Sequence, residues 1–172
     1  MSVRNKSVSD AHTKNAPDKE GGNTMETAQK EKMTTQGLYQ EIYKGCKMGA
    51  ESIVNLLPKV DDEKLRSELT AQLDRYEEFS SRARTGLFDM DKTPKEEGAA
   101  TRLSAKVGVM MNTMIDNTSS HIAQMIIQGC SMGITDLLKA VNAHDEKDEA
   151  DRLAREVVAF EESCTENMKQ YL

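Results

Sequence analysis

The chemistry available to this chain of 172 residues rests on three cysteines, three histidines and the helical Glu-Glu pairs at 77–78 and 161–162. Cys46, Cys130 and Cys164 each recur in step with apolar residues spaced three and four apart, so all three thiols are expected inside a helical core. Thiolates combined with the thioethers of 11 methionines suit a soft ion such as Cu(I). Cys46-x-Met48 and Cys130-x-Met132 nevertheless lie about 200° apart on a helix, so neither pair chelates one ion. A buried single cysteine acts more commonly as a small hydrophobe, and methionine as a filler of irregular gaps. Approach of Cys46 to Cys130 across a bundle is what would favour copper. A cysteine nucleophile needs a base, and none of His12, His121 and His144 lies near a cysteine in sequence. In Glu77-Glu78 and Glu161-Glu162, neighbours on a helix point about 100° apart, so at most one of each pair enters the core. A buried glutamate needs a partner, for which Lys44 and Gln128 on facing helices are the candidates. That pattern favours a structural polar contact over acid–base catalysis.

The elements that must position these groups are helices. There is no alternating Val/Ile/Thr/aromatic run of the kind that marks a strand. One seam runs Tyr39, Ile42, Cys46, Gly49, Ile53, Leu56 and ends at Pro58, which lacks a donor and crowds the preceding turn. Asp61 is expected to cap the next helix, with Val60 and Leu65 as its hydrophobic staple. The second seam runs Leu65, Leu69, Leu73, Tyr76, Ser80, Ala83, Leu87, and the short connection makes a helical hairpin of 37–87. A crossover of 88–118 follows, with a capping signal at Thr93-Pro94-Lys95-Glu96 and a helix expected through Leu103, Val107, Met110, Met111, Met114 and Ile115. Three methionines in that run also suit an adhesive face, although ordinary core is the plainer reading. Asp116-Asn117-Thr118-Ser119 either interrupts this helix or is carried through it, so 94–143 reads as one helix or two. The second hairpin, 119–172, carries Ile122, Ile126, Cys130, Gly133, Leu137, then Leu153, Val157, Phe160, Cys164.

A shift of 84 residues overlays the chain on itself without a gap. Between 40–78 and 124–162, ten of 39 positions are identical, against about two or three by chance. The block Gly45-Cys46-Lys47-Met48-Gly49 meets Gly129-Cys130-Ser131-Met132-Gly133. Two similar hairpins, each with a bare apolar face, are expected to pack together as a four-helix bundle. Glycine costs about 1 kcal/mol inside a helix. Gly45 and Gly49, like Gly129 and Gly133, share a helix face, so close approach of two helix backbones is the expected reason for them.

A doubled hairpin with a long crossover resembles the ferritin-like fold. Residues 37–172 also resemble a group of ferritin-like bundle proteins from anaerobic Gram-positive bacteria, through the two Gly-Cys-x-Met-Gly blocks and Met110-Met111-Asn112-Thr113-Met114. This resemblance brings no activity with it. Ferritin-like di-iron proteins use Glu on two helices and Glu-x-x-His on the other two. Here no histidine has Glu three residues before it; the nearest remnants are Glu77-x-x-Ser80 and Glu161-x-x-Cys164. Glu41 has Met125 as its repeat counterpart. The resemblance therefore implies the fold without its di-iron ligand set.

Composition sets the outer limits. The net charge of −6 argues against nucleic acid as the main partner. No run reaches the roughly 18 apolar residues of a membrane span. The start has no signal-peptide character, and an odd number of cysteines fits a reduced cytosol. Residues 1–36 are too polar to offset their ordering entropy and are expected to be disordered. The expectation is an all-α, ferritin-like four-helix bundle over 37–172 with an extra crossover helix. It is expected to be non-enzymatic and cytoplasmic, and to work through contacts with a protein partner or a second copy. No cofactor or metal is expected; the fallback metal candidates are Cys46, Cys130, Cys164, Glu77 and Glu161. Residual iron or redox chemistry is a third reading.

Overall fold

The computed structural model describes residues 32–95 and 116–172. Four helices account for nearly all of them: α1 Thr35–Leu56, α2 Glu63–Phe88, α3 Ser119–Ala143 and α4 Glu149–Met168. Short 3-10 turns, Leu57–Lys59 and Lys169–Tyr171, follow α1 and α4. No strand occurs among the described residues. The helix expected between Leu103 and Ile115, the leader up to 31 and His12 lie outside them.

Each helix starts at a side-chain cap. Thr34, Asp62, Thr118 and Asp148 have extended backbones and accept from the amides of Gly37, Leu65, His121 and Asp151. These bonds satisfy amides that the first turn of a helix leaves without intrahelical partners. The cap of α2 is Asp62 rather than Asp61, whose carboxylate instead accepts from Asn117. Thr118 also settles the continuity of 94–143 on its C-terminal side: Asp116, Asn117 and Thr118 are non-helical, and α3 starts afresh at Ser119. Residues 32–36, read from sequence as leader, belong to the fold. The Met33 amide donates to Ala143 O at 2.9 Å, and α1 starts at Thr35 rather than 37.

α1 packs mainly on α2 and α3 mainly on α4, while α1 also touches both helices of the second hairpin. Tyr39 lies against Gly86 and Gly49 against Tyr76, so positions advance along α1 as they retreat along α2. One apolar core fills the centre, with Leu38, Ile42, Ile53, Leu69, Phe79 and Leu153 essentially inaccessible. At one end His144 closes the bundle. Its Nδ1 lies 2.9 Å from Met33 O and its Nε2 3.1 Å from Asp148 Oδ2; Asp148 also accepts from Thr35 Oγ1 at 2.6 Å. Both ring nitrogens face acceptors, an arrangement that favours the doubly protonated ring. Burial opposes the charged ring, but the Met33 carbonyl and the Asp148 carboxylate outweigh it and hold the His144 pKa above its ordinary value.

The buried faces of α1 and α3 correspond under the 84-residue shift: Leu38, Tyr39, Ile42, Cys46, Ile53 and Leu56 against Ile122, Ala123, Ile126, Cys130, Leu137 and Ala140. Those of α2 and α4 are offset by about one residue. Gln72, Tyr76 and Phe79 are buried on α2, whereas α4 buries Val157, Glu161 and Cys164. One residue is about 100° of helix rotation. That turn separates the fates of the two Glu-Glu pairs.

Candidate functional site: a groove floored by a buried carboxyl

Glu161 is 5% exposed, while Glu162, Glu77 and Glu78 are exposed. It projects from α4 toward the first hairpin, where Tyr76 of α2 donates its phenolic proton to Glu161 Oε1 at 3.1 Å. The expected partners Lys44 and Gln128 do not reach it; Lys44 bonds Glu41 on its own helix at 3.3 Å. The second carboxyl oxygen, Oε2, is buried with no hydrogen-bond partner among the described residues. Both amide atoms of Gln72, also 5% exposed, are in the same condition.

These three side chains form the floor of a cavity of about 150 Å³ whose walls are α1 and α3. The walls are made by the Gly-Cys-x-Met-Gly blocks, with Ile53, Leu56, Met125 and Ile126 extending them. Their glycines do not bring two helix backbones together. A Cβ built on Gly49 would sit 2.7 to 3.0 Å from the Tyr76 ring, and one on Gly133 would sit 2.5 Å from Glu161 Oε2. On Gly45 and Gly129 a Cβ would meet nothing within 4 Å. One glycine of each block therefore admits a polar side chain from another helix, and the other leaves the groove open.

Burial pushes the Glu161 carboxyl up to about 8, the neighbouring Cys130 sulfur adds to the shift, and the Tyr76 hydroxyl only partly opposes it. At neutral pH it is chiefly protonated. Tyr76 is held well above its usual range by burial, then by Glu161 and Cys130, and stays a donor. The Cys130 sulfur lies 3.8 Å from the Tyr76 hydroxyl. Hydrogen bonding from Cys164, and from Tyr76 and Thr165, makes Cys130 the more acidic of the two adjacent thiols, while its contact with Cys130 and its burial push Cys164 up. Burial likewise raises Cys46, helped by Glu161.

All three cysteines are buried and free. Cys130 has a hydrogen-bonding sulfur neighbour in Cys164 of its own hairpin. Among the described residues no group of three or more His, Cys, Asp and Glu is placed to hold a metal ion. Glu77 lies on the solvent side of α2, away from Glu161. His144 is committed to the end of the bundle, and the His121 amide only receives the Thr118 cap. No described histidine accompanies a thiol. Sequence reasoning missed Tyr76 and Gln72 as members of the site. Gln72 was legible as a polar residue in register with Leu65, Leu69, Tyr76 and Phe79, a polar intrusion on an apolar stripe.

No family model, curated protein or solved structure matches this chain. The arrangement must therefore be read on its own chemistry. A chiefly protonated carboxyl, a phenol and a carboxamide line an apolar slot, with the Cys130 thiol beside them. No helix among the described residues is long and apolar enough to cross a membrane.

Proposed function

We propose that this is a non-enzymatic, cytoplasmic bundle of the ferritin-like type, lacking the di-iron ligand set, which acts through protein–protein contacts on its α1–α3 face. One observation carries the reading: the groove between α1 and α3 is apolar, open along Gly45 and Gly129, and rimmed by methionine, with Met132 52% exposed. Adaptable thioethers beside glycine suit an apolar side chain presented by another protein, whether a different chain or a second copy. The doubled-hairpin origin is supported by the matching buried faces of α1 and α3. Tyr76 and Phe160, counterparts under the shift, also meet edge to face with ring centroids 5.0 Å apart. The bacterial group suggested by the sequence resemblance fits this reading.

A photoreactive side chain placed at position 132, on the groove rim, tests it against one at 138, about 120° away on α3 and outside the groove lining. A discrete protein adduct at 132 and none at 138 is the expected result. Equal labelling at both, or none at 132, opposes the reading, and so does stoichiometric copper or iron in protein purified under reducing conditions.

A further inference from the structure

Resting on the reading just given, we propose that the partner anchors in the groove through a lysine side chain, its methylenes lying between the glycine faces and its ammonium seated on Glu161 Oε2 and Gln72 Oε1. An ammonium brings three donors and no acceptor. The floor supplies two buried oxygens with no partner among the described residues, Glu161 Oε2 and Gln72 Oε1. Ser52 lines the same cavity; its hydroxyl donates to Met48 O at 2.8 Å, so its oxygen is left as an acceptor. Among the described residues Glu161 is the only carboxyl lining the cavity, and no Lys, Arg or His lines it. A buried carboxyl oxygen without a hydrogen-bond partner is a costly arrangement that an incoming donor would relieve.

Shape favours lysine over arginine. Guanidinium prefers both oxygens of a carboxylate, and Tyr76 already holds Oε1. An apolar cavity of about 150 Å³ takes a molecule the size of benzene. An n-pentylammonium ion has as many heavy atoms, and the lysine side chain one fewer.

The groups facing Glu161 are Tyr76 from α2, Cys130 from α3, Cys46 from α1 and Cys164 on its own helix; none is cationic. Seating an ammonium therefore ionises Glu161 and sends its proton to solvent. Affinity for a cation then rises about tenfold per pH unit up to about pH 8 and levels off above it. An anionic head group would show the opposite trend.

The test is titration of the full chain, labelled with ¹⁵N, with n-pentylammonium, n-pentanol, pentanoate and Nα-acetyl-lysine N-methylamide, following the amides of Gly45, Gly129 and Gly133. The proposal expects saturable shifts with pentylammonium and at least equal affinity for the lysine derivative. It also expects binding that strengthens toward pH 8 and falls at least about tenfold in Glu161→Gln, which keeps the shape and removes the charge. Pentanol binding as well as pentylammonium, tighter pentanoate binding, or no saturable binding overturns it. So does binding of pentylammonium with exclusion of the lysine derivative, which would assign the site to a free amine. If the probes fail while the adduct at position 132 persists, the lysine anchor is wrong and the partner reading stands.

Discussion

Tyr76 on α2 donates to Glu161 on α4 across 3.1 Å of buried space, joining the two hairpins through a phenol and a carboxyl that are not counterparts in the repeat. Each also occupies room that a glycine leaves: Gly49 beside the Tyr76 ring and Gly133 beside the carboxylate. This bond organises the site, and most of the predictions concern it.

Replacing Glu161 by Gln should make the fold less sensitive to alkali. The folded carboxyl titrates near 8, far above its ordinary 4.5. Below pH 4.5 both folded and unfolded states hold the proton, and the group has no effect. Between 4.5 and 8 the unfolded chain loses its proton first, so stability falls, and above 8 the loss is constant. The full difference amounts to about 5 kcal/mol at most. Denaturant unfolding of wild type and Glu161→Gln at pH 5 and pH 9 checks this: the variant should gain on the wild type as pH rises. A difference that does not change with pH would show that Glu161 ionises freely in the fold.

Tyr76→Phe should leave the ring in place and strip the donor from Glu161 Oε1. An unmade bond to a buried acceptor costs about 1–3 kcal/mol. The Glu161 carboxyl should also titrate higher, since the one contact that lowers its pKa is gone. A carboxyl-carbon NMR titration reads the second effect independently of the first.

The two glycines of each block should respond oppositely to alanine. Gly45→Ala and Gly129→Ala add a methyl to open space and should stabilise by up to about 1 kcal/mol through helix propensity. Gly49→Ala drives a methyl into the buried Tyr76 ring, and overpacking of this kind costs about 1–3 kcal/mol. Thermal or denaturant unfolding of the three variants separates these cases. Equal destabilisation by all three would mean that Gly45 and Gly129 are packed against something after all.

His144 should stabilise the fold in acid and lose that contribution in alkali. Its folded pKa is raised above 6.5, so its contribution is complete below 6.5 and disappears as pH climbs through the folded value. The stability gap between wild type and His144→Gln should therefore narrow with rising pH. A gap that widens would mean that the ring is neutral between Met33 O and Asp148.

The chain's own pattern determined the helices, their approximate limits and the two hairpins' apolar faces, because periodicity three and four and side-chain caps are local properties. Pro58, the seam from Tyr39 to Leu56 and the burial of all three cysteines were legible for that reason. What no local pattern holds is the rotation of one helix against another. Glu77-Glu78 and Glu161-Glu162 are the same dipeptide at the same place in the repeat, yet Glu77 meets water and Glu161 the floor of the groove. α4 is turned by about one residue relative to α2, a choice made by how Phe79, Tyr76 and Phe160 pack between the hairpins. The glycines follow the same logic. Their spacing announced that something must come close, and only the packed bundle decided that it is a phenol at Gly49 and a carboxyl at Gly133.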